Sequence, residues 1–494
     1  MSLNMYQVFF ALAVLLLVYK FFEGKSKSLN RPPIVHISHE ALFRYPRQAY
    51  ETALKEHGPV IGVYRKNRLE YITDESLASE VLTNDALFSA ERGTAAILNM
   101  PILNMLPHSF IGSLDKLINK SVIPFMETLV PKLAPVFEKH MFELAAQAEA
   151  SKSDAGVPVE LAHHVHDAMA ESMLMLIIGE KNPSPEFVRA AIKVAFDVAI
   201  VAGIYQNLGY WSRTFPSTWR AFIWIKLMIF TIPWTFRNIA WRVWKDLQVV
   251  RKTGKSDHLD PVCLVSRLIQ DTGSLRLKDR LWIVCLTLGI TFASIHQTSA
   301  VIIWVVYELG VRRENLPLLR QELVDILETD PVSGKPTLTY SSLRNAERLD
   351  SFIREVLRMK GDTLTIFRLT TKDVPLGGYI IPKNTLITPM ATLLHENTDL
   401  HGEDAKKFIG DRWMGSGKTS ASISTGYWPF GLGRFACPGR QLAIAEIKLM
   451  IFALIARADL SMEGNKYTVI DPLNTTAVPP RGQLLLTRLD KHIF

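Results

Sequence analysis

Apolar residues recur every three or four positions along most of the chain, which is the spacing that gives a helix one buried face. The clearest helices are predicted at residues 129–148, 185–204, 281–309 and 317–329. Alternating patterns are shorter. Residues 60–64 and 69–73 flank a polar turn and predict a hairpin, and 374–381 with 386–389 predict a second strand pair. The pattern therefore predicts a mainly α fold with small β-sheets set to one side.

The N-terminus carries an apolar segment, residues 5–22, that is long enough to cross a membrane. As a helix it would extend about 27 Å, close to the hydrocarbon thickness of an endoplasmic-reticulum bilayer. No small-residue cleavage motif follows it, which favours a retained anchor over a removed signal peptide. Its flanking basic residues all lie beyond the apolar centre: Lys20, Lys25, Lys27 and Arg31. The positive-inside rule then predicts that the remainder of the chain is cytosolic.

A second apolar segment, residues 221–241, is interrupted by Lys226, Pro233 and Arg237. Charged and helix-breaking residues make a continuous membrane span costly. The mixture of basic and aromatic residues instead predicts a helix pair that lies on the bilayer or dips into it. A plain core position is the alternative.

Composition narrows the function classes. The 494 residues carry a formal charge of +8 and are 48% hydrophobic, enough for a large core. Basic residues are dispersed rather than clustered, so no nucleic-acid partner is expected, and the excess charge favours anionic lipid or an acidic protein partner. The three cysteines form no CxxC pair and no disulfide framework. Cys263 and Cys285 lie in apolar surroundings typical of core residues.

The third cysteine lies in a glycine-rich loop, FGLGRFACPGR at residues 430–440, directly before a long apolar helix. A helix N-terminus favours negative charge, so the Cys437 thiolate is expected there. Gly431, Gly433 and Gly439 allow tight turns and close approach to a flat ligand. A lone thiolate suits a metal that brings four ligands of its own, which points to haem.

This loop resembles the haem loop of the cytochrome P-450 family, Phe-x-x-Gly-x-x-x-Cys-x-Gly, with Phe430 as its first residue and Cys437 as the axial ligand. The resemblance implies haem b (iron protoporphyrin IX) as the cofactor. It also implies a P-450 fold over residues 31–494, the haem-thiolate catalytic domain. Residues 1–30 would precede that fold as a single transmembrane helix with a basic linker.

Three matches upstream follow the order of the family. Glu355 and Arg358 share a predicted helix face and can pair. In the family this pair locks with a later arginine, which the segment FIGDRW supplies here as Arg412. Arg368 stands where the family pairs a basic residue with a haem propionate, a charge-assisted bond that suits arginine.

The resemblance also implies which residues line the substrate cavity: Ala293, Thr363, Leu364 and Ile366. The proton-relay segment of the long helix matches less regularly. His296 stands where an acid is common, and Gln297 stands where a threonine is expected. Thr298 is one residue late and so rotated by about 100° around the helix, which a π-bulge would realign. These three residues are the candidate catalytic groups. A satisfied core histidine is the alternative for His296.

Two departures weaken the expected anchoring of the haem. Position 435 is Phe, where the family usually has Arg or His, and the adjacent Arg434 is expected to point elsewhere. No Trp-x-x-x-Arg motif appears in the early helix, where Lys116 or Lys120 is the only available substitute.

The resemblance is strongest to fungal microsomal members that tailor terpenoids and related secondary metabolites. It implies a single-pass protein of the endoplasmic reticulum that takes electrons from NADPH through a separate reductase and oxidises a lipophilic substrate entering near residues 205–240. Two alternatives stay open. One is a haem-thiolate isomerase, dehydratase or peroxide-using enzyme, which Gln297 motivates, and the other is a non-catalytic haem sensor.

Overall fold

The computed structural model describes residues 30–65, 68–98, 103–104, 109–150, 156–256, 258–273, 275–329, 334–364 and 366–493. The predicted anchor at residues 5–22 lies outside these ranges.

Helices dominate the described part of the chain, as the apolar spacing predicts. They are α1 His39–Arg44, α2 Pro46–His57, α3 Ala78–Thr83, α4 Ala90–Ile97, α5 Phe110–Ser121, α6 Met126–Ala150, α7 Leu161–Ile178, α8 Pro185–Val201, α9 Tyr210–Thr214, α10 Pro216–Lys226, α11 Arg237–Thr253, α12 Leu264–Thr272, α13 Leu277–Val311, α14 Leu316–Ile326, α15 Tyr340–Asn345, α16 Glu347–Met359, α17 Ala391–His395, α18 Thr398–His401 and α19 Arg440–Ile455.

The strands are short and form small sheets. They are β1 Val60–Arg65, β2 Arg68–Thr73, β3 Phe88–Ser89, β4 Val157–Val159, β5 Glu328–Thr329, β6 Pro336–Thr337, β7 Arg368–Thr370, β8 Val374–Leu376, β9 Tyr379–Ile381, β10 Leu386–Pro389, β11 Ala458–Met462 and β12 Leu484–Arg488. The largest sheet has the order β1-β2-β10-β7-β3, and a second has the order β11-β12-β4. Strand β7 therefore brings Arg368 into the largest sheet.

Local chemistry sets several helix boundaries. The Ser109 hydroxyl accepts from the Gly112 N–H at the start of α5, and the Glu91 carboxylate accepts from the Phe110 N–H at 2.6 Å. Helix α7 ends at Gly179, whose φ of 72° is left-handed and suits glycine. Helix α8 begins with Pro185 in its first turn, where the missing N–H costs nothing.

Helix α13 runs through the centre of the helical body and packs against α7, α8 and α19. By length and composition it is the one helix among the described residues able to cross a membrane, but 72% of its most apolar window is buried inside the protein. Its apolar length is therefore explained by core packing.

The strand and helix predictions failed in two places. The helix predicted at 317–329 ends at Ile326, and Glu328–Thr329 pairs instead with Pro336–Thr337. Segment 374–381 folds back on itself as β8 and β9 rather than pairing with 386–389. Strand β10 lies parallel to β2 and antiparallel to β7. These pairings join distant parts of the chain, which local alternation does not encode.

The apolar segment 221–241, where the sequence predicts a helix pair, forms one continuous helical run. A π-helical stretch, Leu227–Phe236, carries Pro233 and joins α10 directly to α11. Asp197 fastens it from α8 by accepting from Lys226 at 2.6 Å and from Thr231 at 2.5 Å. Burial opposes the charge of Asp197, but these hydrogen bonds outweigh it and lower its pKa.

The exposed side chains of this run, and of residues 210–215 before it, are largely apolar and aromatic. We call this surface the aromatic patch, and its exposed members are Tyr210, Trp211, Phe215, Phe222, Ile225, Met228, Ile229, Phe230, Trp234 and Trp241. Two cations lie over its rings, Arg237 at 5.6 Å from the Trp234 centroid and Lys245 at 5.9 Å from that of Trp241. So many large, exposed apolar side chains in one stretch of chain favour an interaction site over ordinary scattered exposure.

Candidate functional site

The glycine-rich loop folds into a closed turn before α19. The Cys437 N–H donates to the Phe430 carbonyl at 2.7 Å, and the Gly431 N–H donates to the Trp428 carbonyl at 2.9 Å. Gly431 and Gly433 have φ of 86° and 74°, a left-handed conformation that favours glycine. The turn thereby holds Cys437 just before the first residue of α19.

The Cys437 sulfur receives backbone N–H groups from Gly439 and Arg440. Burial nevertheless raises the pKa of the thiol, and these N–H groups and the Arg440 charge offset burial only partly. The thiolate that the sequence predicts at Cys437 therefore depends on the metal that it would ligate, because desolvation exceeds the effect of the helix start on the thiol alone. A coordinated metal cation removes the thiol proton outright.

The sulfur lies in a recess within the protein. Cys437 has exposed surface. The protein atoms around its sulfur nevertheless desolvate the thiol strongly enough to raise its pKa. Ile366 borders the loop, since its Cδ1 would lie 3.8 Å from a Cβ at Gly431. The Leu82 carbonyl would lie 3.1 Å from a Cβ at Gly433 and also accepts from Arg368 at 3.3 Å. Strand β7 and the cysteine loop are therefore neighbours.

Arg368 is buried without a matching carboxylate. Its terminal N–H groups donate to the carbonyls of Phe367 and Leu82 at 3.2 and 3.3 Å, and its Nε has no hydrogen-bond partner among the described residues. Burial lowers the pKa of Arg368 to about 10, and the nearby Asp85 opposes this only partly. A buried guanidinium with an unused N–H is suited to a ligand anion.

The structure brings Glu355, Arg358 and Arg412 together. Arg358 donates to both carboxylate oxygens of Glu355, at 2.9 and 2.7 Å, and Arg412 Nε donates to Oε1 at 3.0 Å. The Ile409 N–H and Trp413 Nε1 complete the set, at 3.0 and 3.1 Å. Glu355 is fully buried, so this group of donors is what compensates its charge.

The same arginines tie the segment after α18 to α16. Arg358 Nη1 donates to the carbonyls of His395 and Ala405 at 2.6 and 2.5 Å. Arg412 donates to the carboxylate and carbonyl of Asp404 at 2.7 and 2.9 Å. The guanidinium groups thus satisfy the last carbonyl of α17 and carbonyls of the irregular segment that follows α18.

One face of α13 is open. Ala293 and Gln297, one helical turn apart, are exposed while His296 and Thr298 are buried. The helix is regular α from Leu277 to Val311, so it contains no π-bulge that would rotate Thr298 into the position of Gln297. Gln297 is therefore the polar side chain at this level of the open face.

His296 points into an aromatic box between α13 and the turn after α8. Its Nε2 lies 2.8 Å from the Tyr205 hydroxyl, and its ring packs edge-on against Phe196. Burial lowers the pKa of His296 to about 4, assisted by His166, so the imidazole is neutral at physiological pH. Tyr205 has a φ of 67°, a strained conformation that side-chain contacts must hold in place.

The residues predicted to line the cavity separate into two groups. Thr363 has no exposed surface and Leu364 packs into a core cluster with Tyr50 and Met390. Ala293 is exposed and Ile366 is half-buried beside the cysteine loop. The open surface near the sulfur is thus bordered by Ile366 rather than by the residues before it.

A family model described as cytochrome P-450 matches residues 32–486, nearly the whole chain.

The chain belongs to the cytochrome P-450 family.

Curated relatives match shorter stretches. Cytochrome P-450 monooxygenase 3 of Gibberella fujikuroi is 32% identical over 198 residues, which are 36% of this chain and 38% of that protein. Cytochrome P-450 monooxygenase atmQ of Aspergillus flavus is 31% identical over 180 residues, 34% of this chain and 33% of that protein. The probable mitochondrial cytochrome P-450 12b2 of Drosophila melanogaster is 28% identical over 244 residues, 48% of this chain and 43% of that protein. The chain spans about two fifths of the length of these relatives.

The P-450 family implies a haem, and the residues at the recess fit one. Cys437 offers a single sulfur ligand, which suits an iron that already has four porphyrin nitrogens. The unused Nε of Arg368 fits a propionate carboxylate. A side chain at Gly433 would crowd the Leu82 carbonyl, and one at Gly431 would be strained by its φ of 86°, so both positions of the P-450 loop favour glycine.

The two departures from the P-450 pattern have structural counterparts. Arg434 is exposed and lies over the Phe435 ring, 5.5 Å from its centroid. Lys120 pairs with Asp271 at the surface, and Lys116 is exposed. These contacts leave Arg368 as the buried cation beside the P-450 loop.

Two residues of this P-450 site were missed by sequence reasoning. A Cβ at Gly289 would lie only 2.2 Å from Phe110 Cζ, so any larger residue would force this ring to move where α5 meets α13. Arg354 lies 3.6 Å from the Tyr427 centroid and donates to the Thr419 carbonyl at 2.6 Å. The glycine inside the long apolar helix was a usable signal. Arg354 lies directly before the Glu-x-x-Arg pair in the sequence, but no pattern of its own predicts its role.

Proposed function

We propose that the protein is a haem-thiolate monooxygenase that inserts one oxygen atom into a lipophilic small molecule. The observation that carries this proposal is the recessed Cys437 thiol in a glycine turn beside the buried Arg368 guanidinium, whose Nε has no hydrogen-bond partner among the described residues. When bound there, haem b would supply dioxygen activation, because a thiolate ligand favours cleavage of the O–O bond. Cys437 would ligate the iron, Arg368 would hold a propionate, and the turn from Phe430 to Gly439 would pack against the porphyrin.

The proposed enzyme is tested directly by its stoichiometry. The full chain, incubated with NADPH, a reductase and a panel of terpenoid precursors, should consume dioxygen in proportion to an oxygenated product seen by mass spectrometry. Product formation without net dioxygen uptake would favour the isomerase, dehydratase or peroxide-using alternative. That alternative is motivated by Gln297, which replaces the expected threonine on the open face of α13.

Proton delivery is proposed to run through Gln297, with Thr298 and His296 beside it. The Gln297 amide is exposed on the open face and has both donor and acceptor groups with which to hold and orient a water molecule. Thr298 is 7% exposed and sits on the adjacent helix face. Neutral His296 would stabilise this part of the helix through Tyr205 rather than carry a charge.

Gln297→Leu is expected to lower coupled product formation about a hundredfold while NADPH consumption continues. This factor is the low end of the rate loss when a proton-transfer group is removed. Gln297→Thr should keep or raise the ratio of product to NADPH consumed. Thr298→Val is the matched control and should change this ratio little, because its side chain is buried about 100° away. The reverse ranking of the Gln297 and Thr298 variants would assign the relay to Thr298.

The substrate is proposed to be a terpenoid or related lipophilic secondary metabolite that enters beside the aromatic patch. Relatives of this chain include fungal monooxygenases, although each matched segment is too short to assign the substrate of the relative to this chain. Along the chain, the patch follows Tyr205, the residue whose hydroxyl contacts His296. An apolar surface with cations over its rings suits the interface of a lipid bilayer.

We further propose that residues 1–30 anchor the protein in the endoplasmic-reticulum membrane as a single pass, with the catalytic domain cytosolic. In that arrangement the aromatic patch would rest on the same membrane, and NADPH-cytochrome P-450 reductase would supply electrons from the cytosolic side. The exposed rings of Phe222, Phe230 and Trp234 would then contact membrane lipid.

A chain shortened to residues 31–494 is expected to sediment with phospholipid vesicles. Changing Phe222, Phe230 and Trp234 together to serine should weaken this binding about tenfold or more, since burying one large apolar side chain contributes about 1.5–3 kcal/mol. Leu318→Ser with Val324→Ser removes two exposed apolar side chains from α14 and serves as the control. Equal vesicle binding by the triple variant and the control would refute the membrane role of the patch.

A further inference from the structure

A second cluster of ligand-type side chains lies between α6 and α7, on elements that do not contribute to the cysteine loop. His140 and Glu143 are three residues apart and share one face of α6. His164, in the first turn of α7, faces them. One ligand atom from each of the three lies within 4.8 Å of the other two.

A carboxylate behind the cluster orients its buried member. The Nε2 atom of His140 lies 2.7 Å from Glu171 Oε2, while Nδ1 of the same ring lies 4.0 Å from Glu143 Oε2. Glu171 also binds Lys139 at 3.0 Å. Histidine ligands of metals are commonly fixed in this way, with one ring nitrogen on a carboxylate and the other free for the ion.

The remaining two ligands are adjustable. His164 is half-buried, so its ring has room to turn toward the other two side chains. The Gln147 amide lies 3.3 Å from His164 Nε2 and is a further polar group at the cluster. Glu143 is 55% exposed at its side chain, so its carboxylate is free to move toward the histidines.

We propose that His140, Glu143 and His164 bind one Zn²⁺ ion, with water as its fourth ligand. Two imidazole nitrogens and one carboxylate oxygen form a donor set that Zn²⁺ accepts with three protein ligands, whereas Ca²⁺ and Mg²⁺ prefer oxygen alone. Bonds of about 2.0–2.1 Å place tetrahedral ligands about 3.3 Å apart, so the cluster contracts by about 1 Å on binding. The ion would bridge α6 and α7.

The site is tested with ZnCl₂ on the full-length, haem-loaded chain, purified without a histidine tag and freed of metal with a chelator. Calorimetric titration should give one tight site per chain, and bound zinc should be confirmed by elemental analysis. Thermal unfolding should shift upward with Zn²⁺, because an ion that binds the folded state stabilises it. Haem content is followed in parallel and should not change.

His164→Ala and Glu143→Gln should each weaken Zn²⁺ binding at least about tenfold, since loss of even an outer-shell partner costs about 10–100-fold. His163→Ala is the matched control. That histidine neighbours His164 but is 75% exposed and pairs with Asp167 at 3.5 Å, so its loss should leave the affinity unchanged. The proposal is overturned if the native chain binds no stoichiometric zinc, or if the His163 variant loses binding as fully as the His164 variant does.

Discussion

Cys437→Ala is expected to eliminate the red-shifted Soret band of the reduced carbonyl complex and to lower NADPH-coupled product formation to background. The expectation follows from the loop, which presents one sulfur and two converging backbone N–H groups and offers no substitute ligand among the side chains described there. An alanine keeps the turn, because the Cys437 N–H bond to the Phe430 carbonyl involves only backbone. The spectrum of the reduced, carbon monoxide-treated protein gives the measurement.

Cys285→Ala provides the control for this substitution. Cys285 lies on α13, is half-buried and has a thiol pKa raised by burial, so it resembles Cys437 in its desolvation but not in its loop. Its alanine variant should keep the carbonyl spectrum and at least most of the activity. A Cys437 variant with a native spectrum would remove the sulfur from the site and with it the proposed function.

The backbone conformation of the cysteine loop was largely predictable because it depends on contiguous residues. Gly431 and Gly433 adopt the left-handed conformations expected of them, whereas the same expectation is wrong for Gly439, whose φ is −80°. The Glu355–Arg358 pair was also predictable, since a spacing of three on a helix fixes which side chains meet. Arg412 was predicted only from the order of motifs in the family that the chain resembles, because no local rule pairs it with Glu355.

Features set by packing between distant segments were not predictable. The pairing of β10 with β2 joins residues more than three hundred positions apart, and nothing in either strand specifies its partner. Burial of Cys437 raises its pKa against the helix-start effect, a balance that depends on the whole fold. The box around His296 depends on Tyr205, whose strained backbone follows the end of α8 and has no sequence signature.

Removing the carboxylate of Glu355 is expected to prevent stable folding around the haem. Glu355→Ala leaves Arg358, which is 1% exposed, and Arg412 without their shared counter-charge, and breaking a buried ion pair in this way costs about 3–5 kcal/mol. The loss also frees the Ile409 and Trp413 donors that fasten the following segment. Haem content after expression with ample haem supply and the urea midpoint of the purified protein measure the effect.

Glu347→Ala separates this role from a general effect of losing a carboxylate on α16. Glu347 lies at the start of the same helix, is exposed and accepts one hydrogen bond, from the Gly415 N–H at 2.6 Å. Its removal should cost about 1 kcal/mol and leave haem content unchanged. Both residues occupy one helix, but they differ in burial and in the number of hydrogen bonds that they accept. If the Glu355 variant is as stable and as haem-loaded as the Glu347 variant, the buried carboxylate does not hold the fold.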